Sequence, residues 1–450
     1  MTQDYDLIVL GTGTAATGTA MRVKAAGQRV AIVDCRPFGG TCALRGCDPK
    51  KMLVGGASAF DHAQRMHTRG VEGDLRLDWP GLMRFKRSIT DPVPARNEKR
   101  FKDKGIDAFR GLARFTGPNT VDVDGRSLHG RNIVIAVGAQ AAPLPMPGAE
   151  HLVDNEAFLQ LEALPPRIVL VGGGFIAAEF SHIAARAGAQ VTIIQQGDRI
   201  LKGFDADLVG WLMPAFESQH IDVQLQTKVE SIELTGAGYR VKATAAGKNL
   251  VFHADLVVHA AGREPALGAL NLAAAGVAVD DHGRLQLNQY LQSTSNPSVY
   301  AAGDAAQVGP PLTPTASQDA KVVAANLLEG NHHTPDYRGL PSVAFTIPPI
   351  ARVGLDEAEA RAQGLHFQVN SRHAPDWFTA RQAAEPSYGF KVLVEDGSGR
   401  ILGAHLVGPH AEETINLFAL AIRHGLSADD LKGTLFAYPS AASDIGYMMG

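Results

Sequence analysis

The chain has 450 residues, which at about 150 residues per domain sets a prior of roughly three domains. Its hydrophobic share is 45% and its charged share 20%, ordinary for a globular chain large enough to bury its core without disulfide staples. Forty-two Lys and Arg against 46 Asp and Glu leave a formal charge of −4, which lacks the basic field that a nucleic-acid binder or a membrane-surface protein needs. The opening residues, Met-Thr-Gln-Asp-Tyr-Asp, carry acids where a signal peptide carries Lys or Arg, and no apolar run of about 18 residues follows. These features predict a cytoplasmic protein with no membrane and no nucleic-acid partner. Three cysteines, Cys35, Cys42 and Cys47, fall close together. A secreted framework uses more cysteines and spreads them, so this cluster points to redox chemistry or metal binding.

The predicted elements begin with a strand, Tyr5–Leu10, followed by the turn Gly11-Thr-Gly13-Thr-Ala-Ala16 and a helix over about 15–26. A second strand, Arg29–Val33, ends at Asp34, 21 residues past Gly13. A glycine-rich turn between strand and helix, with an acid at the end of the next strand, is the context of a dinucleotide site. Gly11 makes the tight turn, Gly13 lets a pyrophosphate approach the helix N-terminus, and Asp34 accepts hydrogen bonds from an adenosine ribose.

The segment Gly39-Gly40-Thr41-Cys42-Ala43-Leu44-Arg45-Gly46-Cys47-Asp48-Pro49-Lys50-Lys51 is the most specific in the chain. In a regular helix, residues five apart have Cα atoms about 8–9 Å apart, beyond disulfide reach. A disulfide between Cys42 and Cys47 therefore needs a distorted turn, which Gly46 permits. Pro49 suits the opening turn of a helix, which sets the Cys47 sulfur near a helix N-terminus and favours its thiolate. A zinc site is the competing reading, but no second Cys or His pair stands at ligand spacing. Cys35 has no partner at a redox spacing and is read as a small buried residue.

The strand Asn132–Val137 and the proline-rich Ala142-Pro-Leu-Pro-Met-Pro147 mark a boundary. The dinucleotide pattern then recurs. A strand, Arg167–Val171, leads to Gly172-Gly-Gly174-Phe-Ile-Ala177, a helix to about Ala187, and a strand, Gln190–Ile194. Two such patterns imply two dinucleotides. This strand ends in Gln195-Gln196 rather than an acid, with Arg199 and Lys202 downstream, which favours NADPH over NADH. A closing strand, Asp255–Ala260, ends in Ala261-Gly262-Arg263. The C-terminal part predicts strands near 342–355, a hairpin of Phe390–Glu395 and Ile401–Val407, and a helix over about 411–424.

The motif Gly-Gly-Thr-Cys-x4-Cys-x-Pro-Lys-Lys, the two dinucleotide patterns and Tyr300-Ala-Ala-Gly303-Asp304 together resemble the FAD-dependent pyridine nucleotide–disulfide oxidoreductases, such as glutathione reductase, dihydrolipoamide dehydrogenase and mercuric reductase. The resemblance spans essentially the whole chain. It implies an α/β fold with two Rossmann-like dinucleotide-binding domains and a C-terminal α+β dimerisation domain. The divisions are FAD-binding 1–144, NAD(P)-binding 145–265, a return to the FAD or central domain over 266–335, and dimerisation over 336–450. It further implies FAD held by Gly11, Gly13, Asp34, Gly40, Thr41, backbone at Ala113, and Asp304. Thr313 would begin a helix aimed at the flavin, and Lys50, paired with Glu179, would approach its N5. NADPH would lie on Gly172, Gly174 and Gly262, with Phe175 over the nicotinamide pocket and Gln195, Gln196 and Lys202 near the ribose. Cys42 and Cys47 would be the redox disulfide, with Cys47 facing the flavin and Cys42 attacking the substrate. The expected assembly is a homodimer whose C-terminal units complete the partner's site.

One departure stands out. Most family members end in His-Pro-x-x-x-Glu, whose histidine is a general acid–base, whereas this chain has Tyr438-Pro439-Ser440-Ala441-Ala442-Ser443-Asp444. An ordinary tyrosine titrates near 10, too high to cycle a proton at neutral pH. Three outcomes stand open. Tyr438 protonates the leaving thiol slowly; the substrate is an activated disulfide, a persulfide or a metal ion that needs no proton; or His410 or Asp444 substitutes. The rival functions are a metal-ion reductase of the mercuric type, although no cysteine follows Cys47, and a slow redox or NAD(P)H sensor.

Overall fold

A computed structural model describes residues 3–450. The chain forms two compact units, each assembled from three separate stretches. The first comprises Met1–Lys50, Lys86–Ala142 and Arg263–Tyr337, and the second comprises Lys51–Phe85, Pro143–Gly262 and Arg338–Gly450.

The first unit is built on a seven-stranded sheet. Its parallel part runs in the order 107–110, 30–34, 3–10, 126–135, and 299–301 lies alongside 126–135. The strands 120–123 and 113–117 add an antiparallel edge. Leu7, Val9, Val30, Ile32 and Val134 are buried against the helices Thr14–Ala25 and Thr313–Glu329, while Ile8, Leu10, Val33, Ile133 and Ile135 pack on the other face. Continuous apolar strands of this kind are what a parallel sheet covered on both faces requires.

The second unit holds a four-stranded parallel sheet in the order 222–224, 190–194, 167–171, 256–259, with a three-stranded antiparallel sheet over 227–254. It also holds a five-stranded antiparallel sheet in the order 342–344, 350–354, 401–407, 389–395, 367–373. The helix Ala411–His424 buries Ala411, Ile415 and Phe418 against that sheet, close to the predicted bounds. A buried ionic cluster ties separate parts of this unit together. Asp61 accepts from Arg186 at 2.6 Å and from Arg65 at 2.8 Å, and Arg65 lies 3.5 Å from Glu385. Among the described residues no helix is long and apolar enough to cross a membrane.

Candidate active site

The two glycine-rich turns have the same backbone. Gly11 adopts φ +108° and Gly172 φ +112°, and a Cβ on either would stand 2.3 Å from a carbonyl oxygen, that of Ala136 in one and Ala260 in the other. Only glycine fits there, because the turn passes directly over the end of the neighbouring parallel strand. That place is the switch point of each sheet, where a doubly wound fold binds its ligand. The helices that follow, Thr14–Ala25 and Phe175–Arg186, begin at Gly13 and Gly174 and have no side-chain cap. Their first N–H groups are thus left to an external anion, so both turns fit a dinucleotide pyrophosphate.

In the first unit, the Asp34 carboxylate accepts from the Thr12 hydroxyl at 2.6 Å and from the Arg36 N–H at 2.9 Å. Thr12 in turn accepts from the Gly39 N–H at 3.1 Å, so one buried hydroxyl joins Asp34 to the segment carrying the cysteines. Gly40, at φ +69°, crosses the Gly13 turn so closely that a Cβ would meet Gly13 Cα at 2.3 Å. The Gly111 N–H donates to the Asp34 carbonyl at 3.0 Å, two residues before Ala113, the first residue of its strand. Asp304 lies 3.8 Å from Arg263, and burial pushes its carboxyl above the usual range. The preceding Gly303 N–H is held by the buried Asp319 at 2.9 Å, whose other oxygen accepts from Tyr337 at 2.6 Å. Thr12, Asp319 and Arg263 act here through partners that no local sequence pattern announces.

The helix Gly40–Arg45 stops at Gly46, and a second helix, Cys47–Arg65, starts at once. The break anticipated at Gly46 is therefore present. Cys42 and Cys47 are free thiols gathered on one hydroxyl: Thr313 donates to Cys42 Sγ at 3.2 Å, and its Oγ1 is 3.4 Å from Cys47 Sγ. Thr313 is the first residue of its helix, which has no side-chain cap. The two sulfurs differ in acidity. Cys47 is lowered to about 6, first by its hydrogen bond with the Cys42 thiol, then by Thr313 and the Lys50 ammonium, against burial. Cys42 is raised by the same hydrogen bond and by burial. Cys35 corrects the expectation of burial: it is exposed, because the strand ends at Asp34 and the chain turns outward.

In the second unit, Phe175 opens its helix and is 47% exposed, whereas Glu179, one turn on, is 2% exposed and accepts the Phe345 N–H at 2.8 Å. Gln195 donates to the Arg199 carbonyl at 3.3 Å, and Gln196 and Lys202 are exposed. Lys202 pairs with Asp198 at 3.3 Å, which offsets part of its charge. Gly262, at φ +116°, has open space where a Cβ would stand. Tyr438 is 80% exposed. Ser443 is turned inward to its own loop, donating to the Ser440 carbonyl at 2.6 Å. Asp444 accepts the Tyr388 hydroxyl at 2.6 Å, so it is already engaged. His410 precedes the helix Ala411–His424 at φ +64°. Among the described residues no group of three His, Cys, Asp or Glu is placed to hold a metal ion.

Residues 5–320 match the family described as pyridine nucleotide-disulphide oxidoreductase, and residues 340–449 match its dimerisation domain, which supports a homodimer. A mercuric reductase of Bacillus cereus is 30% identical over 98% of this chain and 70% of its own. A glutathione reductase of Burkholderia cepacia is 30% identical over 98% of this chain and 97% of its own. The fold is similar to the HOCl-induced flavoprotein disulfide reductase RclA from Escherichia coli, solved as a Cu(II) complex. That similarity has a TM-score of 0.89 and 28% identity, over 100% of this chain and 99% of that one.

Proposed function

The chain belongs to the pyridine nucleotide–disulphide oxidoreductases, FAD-dependent enzymes that use NAD(P)H, and on that premise we propose that it is an NADPH-preferring reductase of a disulfide or persulfide that needs no proton from a C-terminal histidine. The observation that carries this reading is a cysteine pair of unequal acidity on the Thr313 hydroxyl, in a chain whose C-terminus offers Tyr438 and an inward-turned Ser443. FAD, when bound, supplies the acceptor for the nicotinamide hydride and passes two electrons to the cysteines. Gly11, Gly13, Gly40 and Thr41 hold its pyrophosphate, Asp34 its ribose, Ala113 its adenine and Asp304 its ribityl chain. Gly172, Gly174, Phe175 and Gly262 receive the nicotinamide cofactor, and Gln195, Gln196 and Lys202, with no acid among them, favour the 2′-phosphate. Lys50 and Glu179 serve beside the flavin, and Lys50 also favours the Cys47 anion. Cys47 is the thiolate facing the flavin, and Cys42 attacks the substrate. The division at 144, 265 and 335 goes with these assignments.

The test is anaerobic stopped-flow reoxidation of the NADPH-reduced holoenzyme by a panel of glutathione disulfide, lipoamide, a persulfide, an aromatic disulfide, Hg²⁺ and Cu²⁺. Fast reoxidation by the aromatic disulfide or persulfide is expected, and equal speed with glutathione disulfide would contradict the proton argument. A second reading, reduction of a metal ion as substrate, is favoured by the mercuric reductases among the relatives and by the Cu(II) complex of the similar reductase. It predicts reoxidation by the metal ions alone.

A further inference from the structure

We propose that Thr313 is a positioning residue that holds Cys42 and Cys47 in the contact across which they exchange a single proton, so that the pair acts as its own acid and base and favours disulfides whose leaving thiol is acidic. The inference deepens the reductase reading and rests on it for the substrate class, though not for the role of Thr313.

The geometry lies within one unit. Thr313 Oγ1 is 3.2 Å from Cys42 Sγ and 3.4 Å from Cys47 Sγ, so the hydroxyl touches both reacting sulfurs. A hydroxyl has one proton and two lone pairs, and it rotates freely about its C–O bond. With Cys47 anionic, the Cys42 thiol donates directly to Cys47 and the hydroxyl turns its own proton to the same sulfur. With Cys42 anionic, the same rotation serves Cys42. Its place is fixed, because the helix it opens packs on Thr14–Ala25 so tightly that a Cβ at Gly18 would stand 2.9 Å from Ala320 Cβ. The charged groups acting on the pair are Lys50, which favours the Cys47 anion, and Asp48, which opposes it. At the C-terminal end, Tyr438 is exposed, Ser443 bonds its own loop and Asp444 holds the Tyr388 hydroxyl.

The chemistry balances without a histidine. The reduced pair holds one proton, on Cys42, and one negative charge, on Cys47. Cys42 passes its proton to Cys47 and attacks a sulfur of RSSR; the substrate S–S bond breaks, RS⁻ leaves, and a Cys42–S–SR bond forms. Cys47 then attacks the Cys42 sulfur and hands its proton to the second departing RS⁻. The products are the Cys42–Cys47 disulfide, one RSH and one RS⁻. Two electrons have moved from the cysteines to the substrate, with one proton and one negative charge on each side. Because the first RS⁻ leaves unprotonated, its own acidity governs the rate.

The experiment compares wild type, Thr313→Val and Thr313→Ser as NADPH-reduced holoenzymes, recording thiolate–flavin absorbance against pH with no disulfide present. Valine should move the midpoint up by about one to two pH units, the loss of one hydrogen bond to a charged sulfur, and serine should restore it. An unmoved midpoint in the valine variant, or a serine variant that behaves like valine, overturns the role of Thr313. The pH profile of Cys47 alkylation in dithiothreitol-reduced protein, located by peptide mass, repeats the test with no flavin readout. The wild type is then reoxidised by a series of aryl disulfides. A rate that falls as the leaving thiol becomes less acidic supports the substrate class, a flat series overturns it, and no reoxidation by any member overturns the disulfide reading itself.

Discussion

Cys47 is the first residue of a 19-residue helix, one position beyond the glycine that ends the previous helix. Its acidity follows from that position and from its neighbours: the Cys42 thiol, the Thr313 hydroxyl and the Lys50 ammonium each favour the anion. The group is depressed below the ordinary thiol range, so its charge is present above about 6 and lost as pH falls through that value. Thiolate–flavin absorbance of the reduced enzyme should fade through the same pH range. Cys47→Ser should abolish it at every pH while flavin stays bound, whereas Cys42→Ser should keep it; a band that survives in the Cys47 variant would reverse the two assignments. The C-terminus allows a complementary gain-of-function trial. Installing Tyr438→His with Ser443→Glu restores the acid–base pair usual in the family, and turnover of glutathione disulfide should rise by about tenfold or more. No gain would mean that the enzyme's substrate, rather than a missing acid, explains the tyrosine.

At the scale of elements, the strand–turn–helix units are local and therefore legible from sequence. Gly11, Gly13 and Asp34, like Gly172 and Gly174, announce a turn whose shape glycine alone permits, and the structure reproduces it twice with almost the same φ. The break at Gly46 and the helix Ala411–His424 were legible for the same reason. What the sequence hid is tertiary. Thr12 is an unremarkable residue between two glycines until the fold brings Asp34 and Gly39 to its hydroxyl. Asp319 reads as a helix acid until it is found holding Gly303. Cys35 was misjudged because burial of a residue just past a strand end depends on where the chain goes next, which no local pattern states. The crossing of Gly40 over Gly13 makes a firm prediction at this scale. With a Cβ 2.3 Å from Gly13 Cα, Gly40→Ala must push the two segments apart, and the purified protein should contain far less flavin per chain. Wild-type flavin content in that variant would show that the crossing plays no part in holding the cofactor.

At the scale of the molecule, the second unit presents apolar side chains to solvent: Leu435 is 98% exposed and Leu420 55% exposed, within the residues that match the family's dimerisation domain. Exposed apolar side chains inside a dimerisation domain are candidates for the surface that a second copy covers. Leu420→Asp with Leu435→Asp should shift the protein from dimer to monomer in sedimentation velocity while leaving flavin absorbance intact, and an unchanged dimer would place the contact elsewhere. The division of the chain into interleaved stretches has a different consequence, felt during synthesis. The strand Val299–Ala301 pairs with Arg126–Ile135, and the helix that brings Thr313 to the cysteines comes later still. The intervening sheet over 167–259 has by then been made in full. A ribosome adding about 5–20 residues per second emits the cysteines about a quarter of a minute to about a minute before their hydroxyl partner. During that interval the thiols exist without the fold that sets their acidity, so the order of the chain delays that acidity until the segment carrying Thr313 has been made.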